Sequence, residues 1–158
     1  MLPVAAHAEL SCQSKLVTWS DSRPAVNLKH IFCGESKNGR NKGVHSNYLL
    51  STSPLVTGIS NKKQLKGGIY SAKVKFSDGK SKFSTFFPDH CTLATITRSV
   101  IYASTHKTAN HRQWGILGQS APKPDSRGYC LQFNGDTFTI RMGLMKNGSR
   151  VNTAFPQP

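Results

Sequence analysis

Two histidines, His30 and His45, bracket the part of this sequence richest in reactive side chains. His30 opens the run His30-Ile31-Phe32-Cys33-Gly34-Glu35, and His45 closes Gly39-Arg40-Asn41-Lys42-Gly43-Val44-His45. Between them lies a loop charged by Lys37, Arg40 and Lys42. Its glycines make it flexible, suited to bringing main-chain N–H groups and positive charge close to a phosphate. Two imidazoles titrating near neutrality can cut RNA without a metal. One takes the proton of a ribose 2′-OH while the other protonates the departing 5′-oxygen. A lysine beside them would stabilise charge growing on the non-bridging phosphate oxygens. His90, His106 and His111 have no such neighbourhood and read as surface residues.

The charge balance points to the same kind of partner. The 158 residues carry 21 Lys+Arg against 7 Asp+Glu, a formal charge of +14. Such a surplus suggests nucleic acid first and an acidic surface second. The acids, Glu9, Asp21, Glu35, Asp78, Asp89, Asp125 and Asp136, stand singly. That spacing argues against paired-carboxylate glycoside hydrolysis, two-metal nucleases and calcium sites. No apolar run reaches the roughly 18 residues that would span a membrane.

Cys12, Cys33, Cys91 and Cys130 are far apart and lack zinc-ligand spacing. Residues 1–8 read as the remnant of a signal peptide, with Ala6-His7-Ala8 in the small-x-small form that precedes cleavage. An even cysteine count beside such a segment favours disulfides in an oxidising compartment. Their pairing, within or between chains, stays open at this level, as do free thiols. Residues 9–158 have the length of a single domain.

The elements that must position the histidines show in the periodicity. Tyr70, Ala72, Val74 and Phe76 alternate with Ser71, Lys73, Lys75 and Ser77, the pattern of a half-buried strand. Asp78-Gly79 makes a hairpin turn, and Lys80 to Phe87 form the return strand, ended by Pro88. Thr92 can cap a helix whose Leu93, Ile96, Val100 and Ile101 share one face. Residues 105–128 read as loop. Tyr129–Phe133, Thr137–Met145 and Arg150–Phe155, separated by Asn134-Gly135 and Asn147-Gly148, read as a β-meander. Residues 1–25 and 46–68 carry no clear period. The sum is α+β, with strands gathered in the second half. Phe86 and Phe87 read as core, and Lys73 and Lys75 as a solvated face adding nonspecific RNA affinity. Trp114 is equally suited to packing and to stacking on a base.

The ordered blocks NLKHIFCGE, KGVHS, KSKFSTFFP and GSRVNTAFP, spread over residues 27–156, resemble the EndoU endoribonucleases. Within that family they look most like the compact bacterial branch of secreted and contact-delivered toxins. The resemblance implies His45 as general base, His30 as general acid, and Lys82 or Lys80 as the transition-state cation, with Lys82 favoured. It further implies Ser84, or Thr85 in its place, as a base-recognition residue, with Thr153 lining the site. Many members have a stacking tyrosine where this chain has Phe155, which keeps an aromatic face and lacks the hydroxyl. Lys42 precedes Gly43 where the family often pairs glycines, adding charge to the phosphate loop.

The fold so implied is α+β, with a helical N-terminal part and two antiparallel sheets flanking an active-site groove. The activity so implied is cleavage of single-stranded RNA to 2′,3′-cyclic phosphate ends, with uridine preference and no required cofactor, although some relatives are stimulated by manganese. RNA is the expected partner and a membrane is not. An immunity protein and a homodimer, disulfide-linked or non-covalent, are further partners to consider, and the location would be secreted or periplasmic. The competing readings are a non-enzymatic basic module binding RNA or another polyanion, a magnesium-dependent nuclease, and the nuclease domain of a contact-delivered toxin acting on tRNA.

Overall fold

A computed structural model describes residues 10–158, so the expected signal remnant at 1–8 lies outside the described residues. The chain begins with β1 (Ala25–Val26), α1 (Leu28–Phe32), β2 (Glu35–Lys37), β3 (Arg40–Lys42) and a 3₁₀ turn at Leu50–Thr52. It continues through β4 (Val56–Lys66), β5 (Ile69–Phe76), β6 (Ser81–Phe86) and α2 (Leu93–Thr105). The last strands are β7 (Ala109–Asn110), β8 (Ile116–Gln119), β9 (Thr139–Met145) and β10 (Arg150–Pro156). They form a five-stranded sheet ordered β1-β10-β9-β8-β7, a three-stranded sheet β4-β5-β6, and the separate hairpin β2-β3. The α+β class holds, but sheet dominates, there are three sheets instead of the two antiparallel ones the resemblance implies, and the five-stranded sheet is mixed because β1 runs parallel to β10.

Where the periodicity is strong, the elements follow it. β5 and β6 pair antiparallel with Val74 opposite Lys82, and Thr92 caps α2 through a reciprocal bond with Thr95. Four further expectations are corrected. The N-terminal part is not helical beyond the five residues of α1 and a short 3₁₀ turn. The expected flexible loop between the histidines is a hairpin, because Asn38 and Gly39 both take left-handed φ, 52° and 71°, the geometry of a two-residue turn. Residues 105–128 are not all loop: they contain β7 and β8, and the meander is β7-β8-β9-β10. Tyr129–Phe133 is no strand, since its backbone makes no ladder and bonds elsewhere, with Gln132 donating to Asp136 O across a turn and Phe133 to distant Gly67 O, both at 2.9 Å.

Two cores result. The larger packs α1 and α2 on the five-stranded sheet through Ile31, Phe32, Ile96, Val100, Ile140 and Met142. Gly118 lets α2 approach this closely, because a Cβ there would lie 2.2 Å from Ala103 O. The smaller core gathers Val44, Leu50, Val74, Phe76 and Phe86 under the three-stranded sheet. Consecutive Phe86 and Phe87 are fully buried, one in each core, so the end of β6 is anchored to both. Among the described residues no helix is long and apolar enough to cross a membrane.

Cys12 pairs with Cys33 and Cys91 with Cys130, at Cα separations of 5.7 and 5.4 Å. The first ties the N-terminal segment to the end of α1. The second ties the start of α2 to the segment before β9. No thiol is free among the described residues, which leaves none for an interchain bridge. Closing loops of 21 and 39 residues should contribute about 3–4 kcal/mol each in the chain-entropy account. Alkylation of the native, unreduced protein should therefore leave its mass unchanged, and reduction should expose every cysteine and lower the unfolding midpoint. Native protein that alkylates freely would remove both bridges.

Candidate active site

His30 is set by the shape of α1. Leu28, Ile31 and Phe32 bury one side of this short helix, and the Asn27 side chain caps it by accepting from His30 N at 3.1 Å. Cys33 and Gly34 both donate to Lys29 O, and Gly34 ends the helix at φ +84°. The chain then turns back so that Glu35, at the start of β2, accepts from His30 Nδ1 at 3.2 Å. Asn27 Nδ2 steadies that carboxylate at 2.8 Å and reaches Asn152 Oδ1 on β10 at 3.1 Å.

His45 is set by backbone. Val44 N donates to His30 O at 2.9 Å, His45 N to Ile31 O at 2.8 Å, and Phe87 N to His45 O at 2.8 Å. So close a passage requires Gly43, at φ +82°, because a Cβ there would lie 2.1 Å from His30 O. Val44 follows at φ +69°, a region β-branched residues avoid, at a cost of roughly 1–3 kcal/mol. Its side chain is fully buried in the smaller core, which holds the conformation. The result is two imidazole rings with centroids 5.7 Å apart.

The tautomer of His45 follows from its partners. Thr85 O, which can only accept, lies 2.9 Å from Nδ1, so Nδ1 carries the hydrogen. Ser84 Oγ shares that hydrogen at 3.0 Å while donating its own to Val44 O. The lone pair of His45 is therefore on Nε2. Neither Nε2 is bonded among the described residues.

An open cavity of about 540 Å³ holds both histidines together with Lys42, Gly43, Lys82, Ser84, Thr85, Thr153 and Phe155. Lys82 Nζ donates to Gly43 O at 2.8 Å. Lys80 reaches Gly39 O instead and lies outside this cavity, so the geometry separates two lysines that strand periodicity could not. Phe155 stands 5.1 Å from His45 between ring centroids. Trp114, left open by the sequence, also lines the cavity, with the Arg141 guanidinium 3.8 Å from its ring centroid and Arg141 Nε donating to Trp114 O. His90, His106 and His111 lie outside it. A larger apolar hollow of about 640 Å³, between residues 15–22 and the outer side of α2, contains no histidine.

Glu35, Asn27 and Arg141 escaped the sequence reading. In the sequence Glu35 is one of several scattered acids; the signal for it is the His30-to-Glu35 spacing, readable only once a turn is known to fold that segment back. Burial pushes the His45 imidazole well below its ordinary value of 6.5, assisted by the charges of Lys82 and His30, while the Thr85 carbonyl opposes the shift. His30 is also lowered, chiefly by burial, but Glu35 pulls the other way. Burial lowers Lys82 as well. Burial thus acts on both rings, but only His30 has a carboxylate, Glu35, opposing the shift. Among the described residues no three His, Cys, Asp or Glu side chains gather as metal ligands would.

Comparison with curated proteins and with solved structures yields no match. A model of the bacterial EndoU nucleases matches residues 25–158, a span that takes in both histidines, Lys82, Thr153 and Phe155. On that match, which runs from β1 through β10, the chain belongs to the bacterial EndoU nuclease family.

Proposed function

We propose that the protein is a metal-independent endoribonuclease cleaving single-stranded RNA by attack of a ribose 2′-OH on the adjacent phosphate. The observation that carries this reading is the pair of imidazoles 5.7 Å apart, each held at Nδ1 by an acceptor and unbonded at Nε2 among the described residues. His45 Nε2 takes the 2′-OH proton as the O2′–P bond forms. His30 gives its proton to O5′ as the P–O5′ bond breaks. The products are a 2′,3′-cyclic phosphate and a 5′-OH, and solvent restores both protonation states. Lys82, in the same cavity, stabilises the charge gathering on the non-bridging oxygens, and exposed Lys42 attracts the phosphate.

Ser84 acts from behind: its hydroxyl is engaged by Val44 O and His45 Nδ1, which suits it to orient the base histidine. Recognition of the nucleobase then falls to Thr85 and Thr153, with Phe155 as its stacking face, and uridine is the preference suggested by the family resemblance. Two intrachain disulfides fit a secreted or periplasmic setting.

An oligoribonucleotide with one 2′-deoxy position should survive at that bond alone and be cut at the others; equal cutting there would refute 2′-OH attack, and loss of all cleavage in excess EDTA would refute the metal-free route. Replacing His30 or His45 by Ala should lower kcat/KM by about 10²–10⁴, and a double variant that cleaves as the parent does would remove the catalytic assignment. Both imidazoles titrate below 6.5, and the reaction needs His45 neutral and His30 protonated. The profile of kcat/KM against pH should therefore peak on the acid side of 6.5 and fall as pH rises through neutrality. Glu35→Gln removes the charge that favours protonated His30, so its alkaline limb should move to lower pH. An unmoved limb would show that Glu35 does not hold the acid's proton.

A further inference from the structure

The small sheet covers a core with one face and leaves the other in water. Tyr70, Ala72, Val74 and Phe76 point from β5 into the smaller core. Partners in register share a face, so Val74 opposite Lys82 and Ala72 opposite Ser84 belong to the inner side. The outer side holds Lys73 opposite Phe83, Ser71 opposite Thr85, and, from β4, Lys63 opposite Ser71. Lys75 follows on the same side, and no acid among the described strand residues occupies it. None of these lysines is in an ion pair among the described residues.

Phe83 is the anomaly on this face. It is 67% exposed, whereas Phe76 and Phe86 on the same two strands are buried. It stacks on no other ring among the described residues. Its position is also continuous with the catalytic cavity, whose wall includes Phe83, Ser71 and Thr85 alongside Lys82. β6 is one of the two edge strands of its sheet, and it presents Lys82 to the cavity and Phe83 to the outside.

We propose that the outer face of β4-β5-β6 is a second RNA-binding surface, onto which the strand passes from the cavity. Phe83 is its stacking platform for a base beyond the scissile bond, and Lys63, Lys73 and Lys75 take the phosphates. The chemistry fits single-stranded nucleic acid: a bare aromatic accepts any base, and lysines on a flat background of small residues track a backbone without reading sequence. The enzyme so described has a site longer than a dinucleotide. The inference rests on the ribonuclease reading of the cavity.

The test is fluorescence anisotropy with fully 2′-deoxy, uncleavable single strands of two and of about ten nucleotides, beside cleavage of the matching RNAs. The longer strand should bind more tightly to the parent protein. Phe83→Ser should weaken its binding about tenfold and Phe83→Trp should restore it, while Lys73→Ser/Lys75→Ser should flatten the log–log salt slope by roughly 1–2. The gain in kcat/KM with RNA length should vanish in Phe83→Ser. Protein that binds the long strand through Phe83 but cleaves no RNA would sink the ribonuclease reading and leave the surface standing. Protein that cleaves RNA with no dependence on length or on Phe83 would overturn the surface alone.

Discussion

Backbone amides of Val44 and His45 donate to the carbonyls of His30 and Ile31, and the carbonyl of His45 accepts from Phe87. These bonds join the end of α1 to the end of β6 through one short strip of chain. Sequence neighbours alone could not hold the two rings at their separation, because the whole β2-β3 hairpin lies between them in the chain. The strip is tight enough to require glycine at 43 and to hold valine at 44 in a left-handed conformation. Such backbone strain persists only where the surroundings over-determine it. Here they do: Val44 is buried in the smaller core, and Phe87, anchored in the larger one, closes the other side.

The same strip shapes the electrostatics. Lys82 reaches the cavity by donating to Gly43 O, so the cation is fixed by the backbone that fixes His45. In the proposed reaction two chemically identical side chains take opposite tasks according to what stands at Nδ1. A neutral carbonyl faces His45 and a carboxylate faces His30. In a chain this basic, placing one carboxylate there is a strong local choice, and Asn27 secures it by bridging Glu35 to β10.

Much of this was legible in the residues. The half-buried strand pair, the capped helix and the two histidine blocks all announced themselves, since alternation, caps and turn dipeptides are local properties. What stayed hidden was non-local. β4 is almost wholly exposed and polar, so it carries no alternation to read. β8 spans only Ile116–Gln119, too short for a period, and exists because β9 offers it a ladder. Lys80 and Lys82 share a strand face, and only the passage of Gly43 beside β6 tells them apart. Ser84 has the residue type of a base-recognition group, yet its hydroxyl is taken by the chain behind His45. The cysteine pairing, likewise, needed the fold.

The sources of the cavity wall are spread along the whole described chain: α1 brings His30, β6 brings Lys82, and β10 brings Thr153 and Phe155. β10 also pairs with β1, so the last strand of the large sheet lies between its first and β9. No partly synthesised or unfolded chain contains the complete machinery, because loop-closure entropy must be overcome before any of these groups meet. The cavity is therefore complete only once β10 has docked, and a chain that has not yet folded carries these side chains far apart.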